Sequence, residues 1–213
     1  MRILVTGAAG FVGSHLAERL AGMGHQVRGI DSLTDYYALA LKKLNVDQLT
    51  RAGVVLLRLD LANDDLRAAV LDVDLVYHAA AQPGISAQVG FETYLQNNLI
   101  ATQRLLEAVK GSRSLRGFVN VSTSSVYGVD ATGDEESEPR PTSHYGVTKL
   151  AAEQLVLALA RDEGFPGSSL RLFSVYGPRE QPEKLYPRLI GAILEGRPFP
   201  LFEGSERHLR SYT

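Results

Sequence analysis

Tyr145 and Lys149 stand four residues apart in Tyr145-Gly146-Val147-Thr148-Lys149, the spacing that puts two side chains on one face of a helix. A phenol titrates near pH ~10, so it serves as a base near neutrality only where its anion is favoured. A neighbouring ammonium favours it, as does any other positive charge brought to the site. Upstream, Ser122-Thr123-Ser124-Ser125-Val126-Tyr127-Gly128 offers a cluster of hydroxyls, which can donate to an oxygen where negative charge develops. A third feature lies near the N-terminus. Gly7, Gly10 and Gly13 recur at spacing three in Gly7-Ala8-Ala9-Gly10-Phe11-Val12-Gly13. Glycine lets a backbone turn tightly and come close to an anionic ligand.

These groups need a scaffold that brings them together. Six β-rich runs mark the chain: Ile3–Thr6, Gln26–Ile30, Val54–Arg58, Leu75–His78, Phe118–Ser122 and Ser169–Phe173. Helical patterns over 11–23, 38–50, 63–70, 91–110, 144–163 and 184–195 alternate with them. The alternation predicts an α/β fold with a parallel sheet covered on both faces. The right-handed crossover rule makes that sheet doubly wound. The glycine turn then joins the first strand to the first helix, the context of a Rossmann dinucleotide site. Its helix N-terminus would receive the pyrophosphate of NAD(P). Asp31 ends the second strand, roughly 20 residues on, where a carboxylate accepts from the adenosine ribose 2′-hydroxyl and repels a 2′-phosphate. That favours NAD over NADP. Arg28, on the same strand, argues the other way from a poorer position. Asp60-Leu61 and Ala79-Ala80-Ala81 follow the third and fourth strands, at the sheet edge where ligands collect. Each is equally compatible with a structural role.

The bulk composition narrows the class. With 45% hydrophobic and 22% charged residues over 213 positions, the chain reads as an ordinary globular protein. A net charge of −2 gives no reason to expect nucleic acid or an anionic membrane as partner. The absence of cysteine excludes disulfides, thiol catalysis and thiolate-bound zinc. The histidines at 15, 25, 78, 144 and 208 form no metal-binding spacing and read as structural or surface residues. No metal is expected. The acidic stretch within 130–143 reads as a solvated loop. Neither a signal peptide nor an apolar run of membrane-spanning length is evident, so a cytoplasmic location is expected.

In chain order, Thr6–Gly13, Asp31, Asp60, His78–Ala81, Asn98, Ser122–Gly128, Tyr145–Lys149 and Arg171-Leu172-Phe173-Ser174-Val175-Tyr176-Gly177-Pro178 resemble one family. It is the extended short-chain dehydrogenase/reductase family, in its nucleotide-sugar epimerase and dehydratase group. The resemblance runs through the whole chain. The last of these stretches is similar to the RFFxVYGP signature that borders the sugar site. Asp31–Tyr37 with Leu41-Lys42, Ala81–Gly84 and Thr123–Ser125 look most like UDP-glucuronate 4-epimerases. The 4,6-dehydratases carry an Asp-Glu pair where this chain has Ser124-Ser125, so the acid and base for removing water are missing.

The resemblance implies a full site. NAD would be held by Gly7, Ala9, Gly10, Phe11, Val12, Gly13, Asp31, Ser32, Asp60, Leu61, Ala79, Ala80, Ala81, Asn98, Tyr145 and Lys149. A UDP-sugar would meet Gln82, Pro83, Thr123, Ser124, Ser125, Ser174, Arg179, Gln181 and Arg210. Tyr145 would take the proton of the sugar 4-hydroxyl while hydride passes from C4 to NAD. The 4-keto sugar would turn and receive the hydride on its other face. Lys149 would lower the tyrosine pKa and bond the nicotinamide ribose, and Thr123 would donate to the sugar oxygen. One position departs from the pattern. Glucuronate epimerases place an arginine for the sugar carboxylate where this chain has Gln181, with Arg179 two residues away. An amide is a poorer partner for a carboxylate than a guanidinium. UDP-glucuronate therefore leads, with a neutral UDP-hexose as the alternative. A reductase, decarboxylase or dehydratase on a related substrate, and an NAD-binding protein without turnover, also stay open. The family further implies a homodimer through the helices at 91–110 and 144–163. It also implies an NAD-binding domain over 1–174, followed by an incomplete start of a substrate domain over 175–213.

Overall fold

Parallel strands buried on both faces must be apolar nearly throughout, and the first strand meets that demand from Ile3 to Val5. The computed structural model describes residues 1–86 and 88–200. Its strands are β1 (Arg2–Thr6), β2 (Gln26–Asp31), β3 (Val55–Arg58), β4 (Leu75–His78), β5 (Gly117–Thr123) and β6 (Gly167–Leu172). They form one sheet in the order β3-β2-β1-β4-β5-β6. The pairs from β3 across to β5 run parallel, and Thr6 stands level with Ile30, Thr6 with His78, and His78 with Asn120. The C-terminal ends of β1, β4 and β5 therefore form a common row. Strand order reverses between β1 and β4, which opens a crevice beyond that row. This is the doubly wound α/β sheet read from the sequence.

Alternation along β1 supplies both faces of the sheet. Leu4 joins Ile30, Val76 and Phe118 under Leu105, Val109 and Val156. Those last three lie on α5 (Ala101–Val109) and α6 (His144–Glu163). Ile3 and Val5 point the other way, with Val27, against Ala17, Leu20 and Leu49. These belong to α1 (Phe11–Gly22) and α2 (Leu39–Arg51).

Two helices differ from expectation. The pattern over 63–70 yields only the four-residue α3 (Arg67–Val70). Asp60 Oδ1 accepts from the Ala62 amide at 2.8 Å and Asp64 Oδ2 from the Asp60 amide at 2.7 Å, which fixes a turn instead. The expected single helix over 91–110 is α4 (Phe91–Tyr94), a π-helical stretch over Leu95–Ile100, and then α5. Wide π turns occur mostly as local features at functional sites, and this one carries Asn98.

The chain divides into two compact units, Met1–Arg171 and the residues from Leu172 onward. In the second unit α7 (Leu185–Leu194) follows a turn closed by Lys184 N–H to Gln181 O at 3.0 Å. Tyr186 stacks on Tyr176 with ring centroids 4.9 Å apart. Among the described residues no helix is long and apolar enough to cross a membrane.

Candidate cofactor and catalytic site

The turn after β1 is built around close backbone approach. Gly7 has φ +68, and a Cβ there would lie 2.8 Å from the Ala80 nitrogen after β4. Only glycine lets the two strand ends meet so closely. Gly10 is the N-cap of α1 and brings no side-chain cap, and the first turn holds no acidic residue. The first helical bond runs from Ser14 N–H to Gly10 O at 3.0 Å. The amides of Phe11, Val12 and Gly13 have no carbonyl four residues back. They lie at the positive end of the helix dipole, an arrangement suited to a pyrophosphate.

Asp31 is buried at the end of β2 and accepts from the Ala9 amide at 3.0 Å and the Leu33 amide at 2.8 Å. Its charge is met by Lys42 Nζ at 3.7 Å. Asn45 donates to Ala9 O at 2.8 Å. Lys42 and Asn45 were not among the residues expected from sequence. Their signal was available: with Leu49 they occupy the inward stripe of α2, where polar residues are unusual unless paired. Arg28 is removed as a rival, because its guanidinium donates to the carbonyls of Ala68 and Ala69. Ser32 follows Asp31 half-buried. Leu61 buries its side chain in the core and gives its carbonyl to Arg104 Nε at 3.2 Å. Asp60 Oδ2 is bonded to Asn63 Nδ2 at 2.8 Å.

A chain of buried hydrogen bonds runs from this turn to α6. Thr6 Oγ1 accepts from the Ala80 amide at 3.2 Å and lies 2.7 Å from His78 Nδ1. His78 Nε2 lies 2.8 Å from Thr102 Oγ1, which donates to Asn98 O at 2.6 Å. Thr102 must then accept from His78 Nε2–H, and Nδ1 accepts from the Thr6 hydroxyl. Burial first, and the charge of Lys149 second, push the His78 pKa down to about 3, so the ring is neutral. The reading of His78 as structural fits this setting. Asn98 continues the chain, its Oδ1 accepting from the Gln82 amide at 2.7 Å and its Nδ2 donating to Thr148 Oγ1 at 3.1 Å. It fixes the segment Ala81-Gln82-Pro83, and Tyr36 donates to Pro83 O at 3.3 Å.

Thr148 lies between Tyr145 and Lys149, so the same chain anchors this pair. Ser143 caps α6 by accepting from the Gly146 amide at 3.0 Å. A Cβ on Gly146 would come within 2.6 Å of Ser125 O, so glycine sets how near α6 comes to the end of β5. There Thr123 accepts from the Ser125 amide at 3.1 Å, shaping the 3-10 turn Ser124–Val126. Burial raises the Tyr145 pKa, a hydrogen bond with the Thr123 side chain lowers it, and the nearby Tyr94 and Tyr36 raise it. The downward pull expected from Lys149 is not among these contributions. Lys149 Nζ donates to Val121 O at 2.6 Å. Burial brings the Lys149 pKa down to about 8, against an opposing effect of Glu153.

In the second unit, Ser174 is half-buried and Arg179 has φ +69, a conformation uncommon for a side chain with a Cβ. Gln181 Oε1 is buried without a hydrogen-bond partner among the described residues. Arg210 lies outside the described residues.

Residues 3–213 match the family described as the NAD dependent epimerase/dehydratase family. The chain belongs to it. A UDP-glucose epimerase of Bacillus subtilis (strain 168), itself uncharacterized, is 40% identical over all of this chain and 68% of its own length. UDP-glucuronate 4-epimerase 1 of Arabidopsis thaliana is 34% identical, over 96% of this chain and 49% of its own. Among solved structures, a UDP-glucuronic acid 4-epimerase from Bacillus cereus in complex with UDP-glucuronic acid and NAD superposes with a TM-score of 0.92. It is 42% identical over all of this chain and 69% of that one. The chain spans from 32% to 68% of the length of the first curated relatives it matches.

Proposed function

We propose that this chain is the cofactor-binding and catalytic part of an NAD-dependent UDP-sugar 4-epimerase. The observation that carries the reading is the continuous hydrogen-bonded path from the glycine turn to α6. That path reaches Thr148, between Tyr145 and Lys149, and supports a site in which this pair works with Thr123 next to a dinucleotide held at the N-terminus of α1. The residues present fit NAD. Phe11, Val12 and Gly13 offer free amides, Asp31 ends β2, and Ala79–Ala81 bring only small side chains to the crevice. When bound, NAD would accept a hydride from sugar C4 and return it.

The protein's own residues supply the proton chemistry. Burial first, then Tyr94 and Tyr36, raise the Tyr145 pKa, so its work as a base depends on positive charge arriving in the site. Thr123 favours the phenolate through its hydroxyl, and with a sugar bound that single O–H can turn to donate to O4 instead. Lys149, fixed on Val121 O, has further N–H groups for a ribose. Ser124 and Ser125 bring hydroxyls and no carboxylate, which weighs against a dehydratase even though trifunctional 4,6-dehydratases are among the relatives. Product analysis of a UDP-sugar incubated with NAD and a form carrying the remaining substrate domain tests the class. A 4-epimer is expected, and a 4-keto-6-deoxy product would overturn it.

UDP-glucuronate is the leading substrate, supported by the B. cereus neighbour. Gln181 favours the second reading, a neutral UDP-hexose, because it brings no cation to a carboxylate. Competition between UDP-glucuronate and UDP-glucose separates them. Faster turnover of UDP-glucose with scant binding of the acid makes the hexose the substrate. A cytoplasmic homodimer through α4–α5 and α6 belongs to the same proposal, supported by the apolar Phe91 and Val147 left 43% and 45% exposed on those helices.

A further inference from the structure

Glu153 lies one turn beyond Lys149 on α6, the spacing at which a lysine and a carboxylate ordinarily pair. Both are buried, and an unpaired charge at such depth is costly. Yet Glu153 is engaged elsewhere. Arg171 donates to Glu153 Oε1 through Nη2 at 2.6 Å and Nε at 3.0 Å, and its Nε lies 3.3 Å from Oε2. Arg171 is itself fixed at the end of β6. Its Nη1 donates to the Tyr127 hydroxyl and to Glu135 O, both at 3.0 Å, and its guanidinium stacks 4.9 Å from the Tyr127 ring centroid. A planar guanidinium with several donors outcompetes an ammonium for a carboxylate.

We propose that Arg171 is a positioning residue that sequesters Glu153, and so leaves the Lys149 ammonium on Val121 O and open to the cofactor. The inference rests on the NAD reading above. Around Lys149 stand Tyr145 and Glu153 on its own helix, neutral His78 from β4, and Arg171 from β6 behind Glu153. Without the guanidinium, Glu153 would turn to the nearest cation, Lys149, and draw it from β5.

The test uses Arg171→Met, Glu153→Gln and the double variant of the 213-residue chain. One readout is the pH titration of lysine ε-carbons by NMR, practical with five lysines in the sequence and assigned with Lys149→Met. The other is NAD affinity by calorimetry. Arg171→Met should raise the Lys149 midpoint by at least about one pH unit, as expected for a new opposite charge nearby, and weaken NAD roughly tenfold. The double variant, lacking the freed carboxylate, should return both values close to those of the parent. An unchanged midpoint in Arg171→Met, or a folded double variant that still binds NAD as weakly as the single one, overturns the proposal. Should Arg171→Met fail to fold, recovery of folding and affinity in the double variant supports it. If the parent chain takes up no NAD, the cofactor reading fails, while the Lys149 midpoint still decides the sequestration.

Discussion

Gly146→Ala sets two physical effects against each other. Gly146 lies in the first turn of α6, where alanine is favoured over glycine by up to about 1 kcal/mol on helix propensity alone. The added Cβ, however, would sit 2.6 Å from Ser125 O and 3.0 Å from Pro141 Cβ. Ordinary contact begins near 3.4 Å, so the helix end must retreat from β5 by most of an ångström. Neither neighbour can swing away, since one is a main-chain oxygen and the other a proline ring. Overpacking of this kind costs about 1–3 kcal/mol, which exceeds the propensity gain. Against a gain of up to about 1 kcal/mol, the net loss is about 0–2 kcal/mol and centres near ~1, a fall in Tm of roughly 2–4 °C for a chain of this size. The retreat also carries Tyr145 away from Thr123, and a misplacement of about 1 Å can cost ~10²-fold in rate. Thermal unfolding of the variant, followed by circular dichroism, reads the first effect, and epimerisation by a form with the remaining substrate domain reads the second. A variant more stable than the parent, with turnover intact, would refute the reasoning, because propensity alone would then have decided the outcome.

Acid should weaken the fold through His78, whose pKa is about 3 when folded against 6.5 when free. Above pH 6.5 neither state is charged, but below it the unfolded chain gains a proton that the folded one refuses. Stability should fall by about 1.4 kcal/mol per pH unit and be about 2 kcal/mol lower at pH 5. Urea melts at pH 7.5 and 5 should show this, and an equal decline in His78→Gln would assign it elsewhere. Tyr145→Phe should keep NAD affinity and lose at least ~10²-fold in turnover, and near-normal epimerisation would sink the acid–base role. NAD should bind more tightly than NADP because of Asp31, and calorimetry showing the reverse would remove that assignment. Gln181→Arg should shift competition toward UDP-glucuronate if that acid is the substrate, and an unmoved ratio would count against any carboxylate contact at this position.

Features that depend on near neighbours in sequence were legible in it. The six β-rich runs are all strands, although β3 and β6 are not buried as their apolar residues suggested. The glycine turn lies between β1 and α1, and α6 is capped by Ser143 and ends before Gly164, whose φ of +65 suits a C-cap. Features that depend on distant pairing were not. Lys42 and Asn45 gain their partners only when α2 is docked beside Asp31 and Ala9. Arg171 read as part of a signature, and its bond to Glu153 needs β6 laid against α6. The π-helical stretch was invisible because the apolar pattern over 91–110 is also that of an ordinary helix. Asp60 was read for its place at a strand end, yet its carboxylate satisfies the turn that follows.

The hydrogen-bonded path from Ala80 through Thr6, His78, Thr102 and Asn98 to Gln82 and Thr148 passes through segments far apart in the chain. Each member is satisfied only while its neighbours hold, so none can open without orphaning the next. The amides of Ala80 and Gln82, although they sit in loops, should therefore exchange with solvent only when the whole unit unfolds. The same coupling makes Thr102, buried and bonded to His78 and Asn98, a place where a single lost methyl or hydroxyl would be felt at Tyr145.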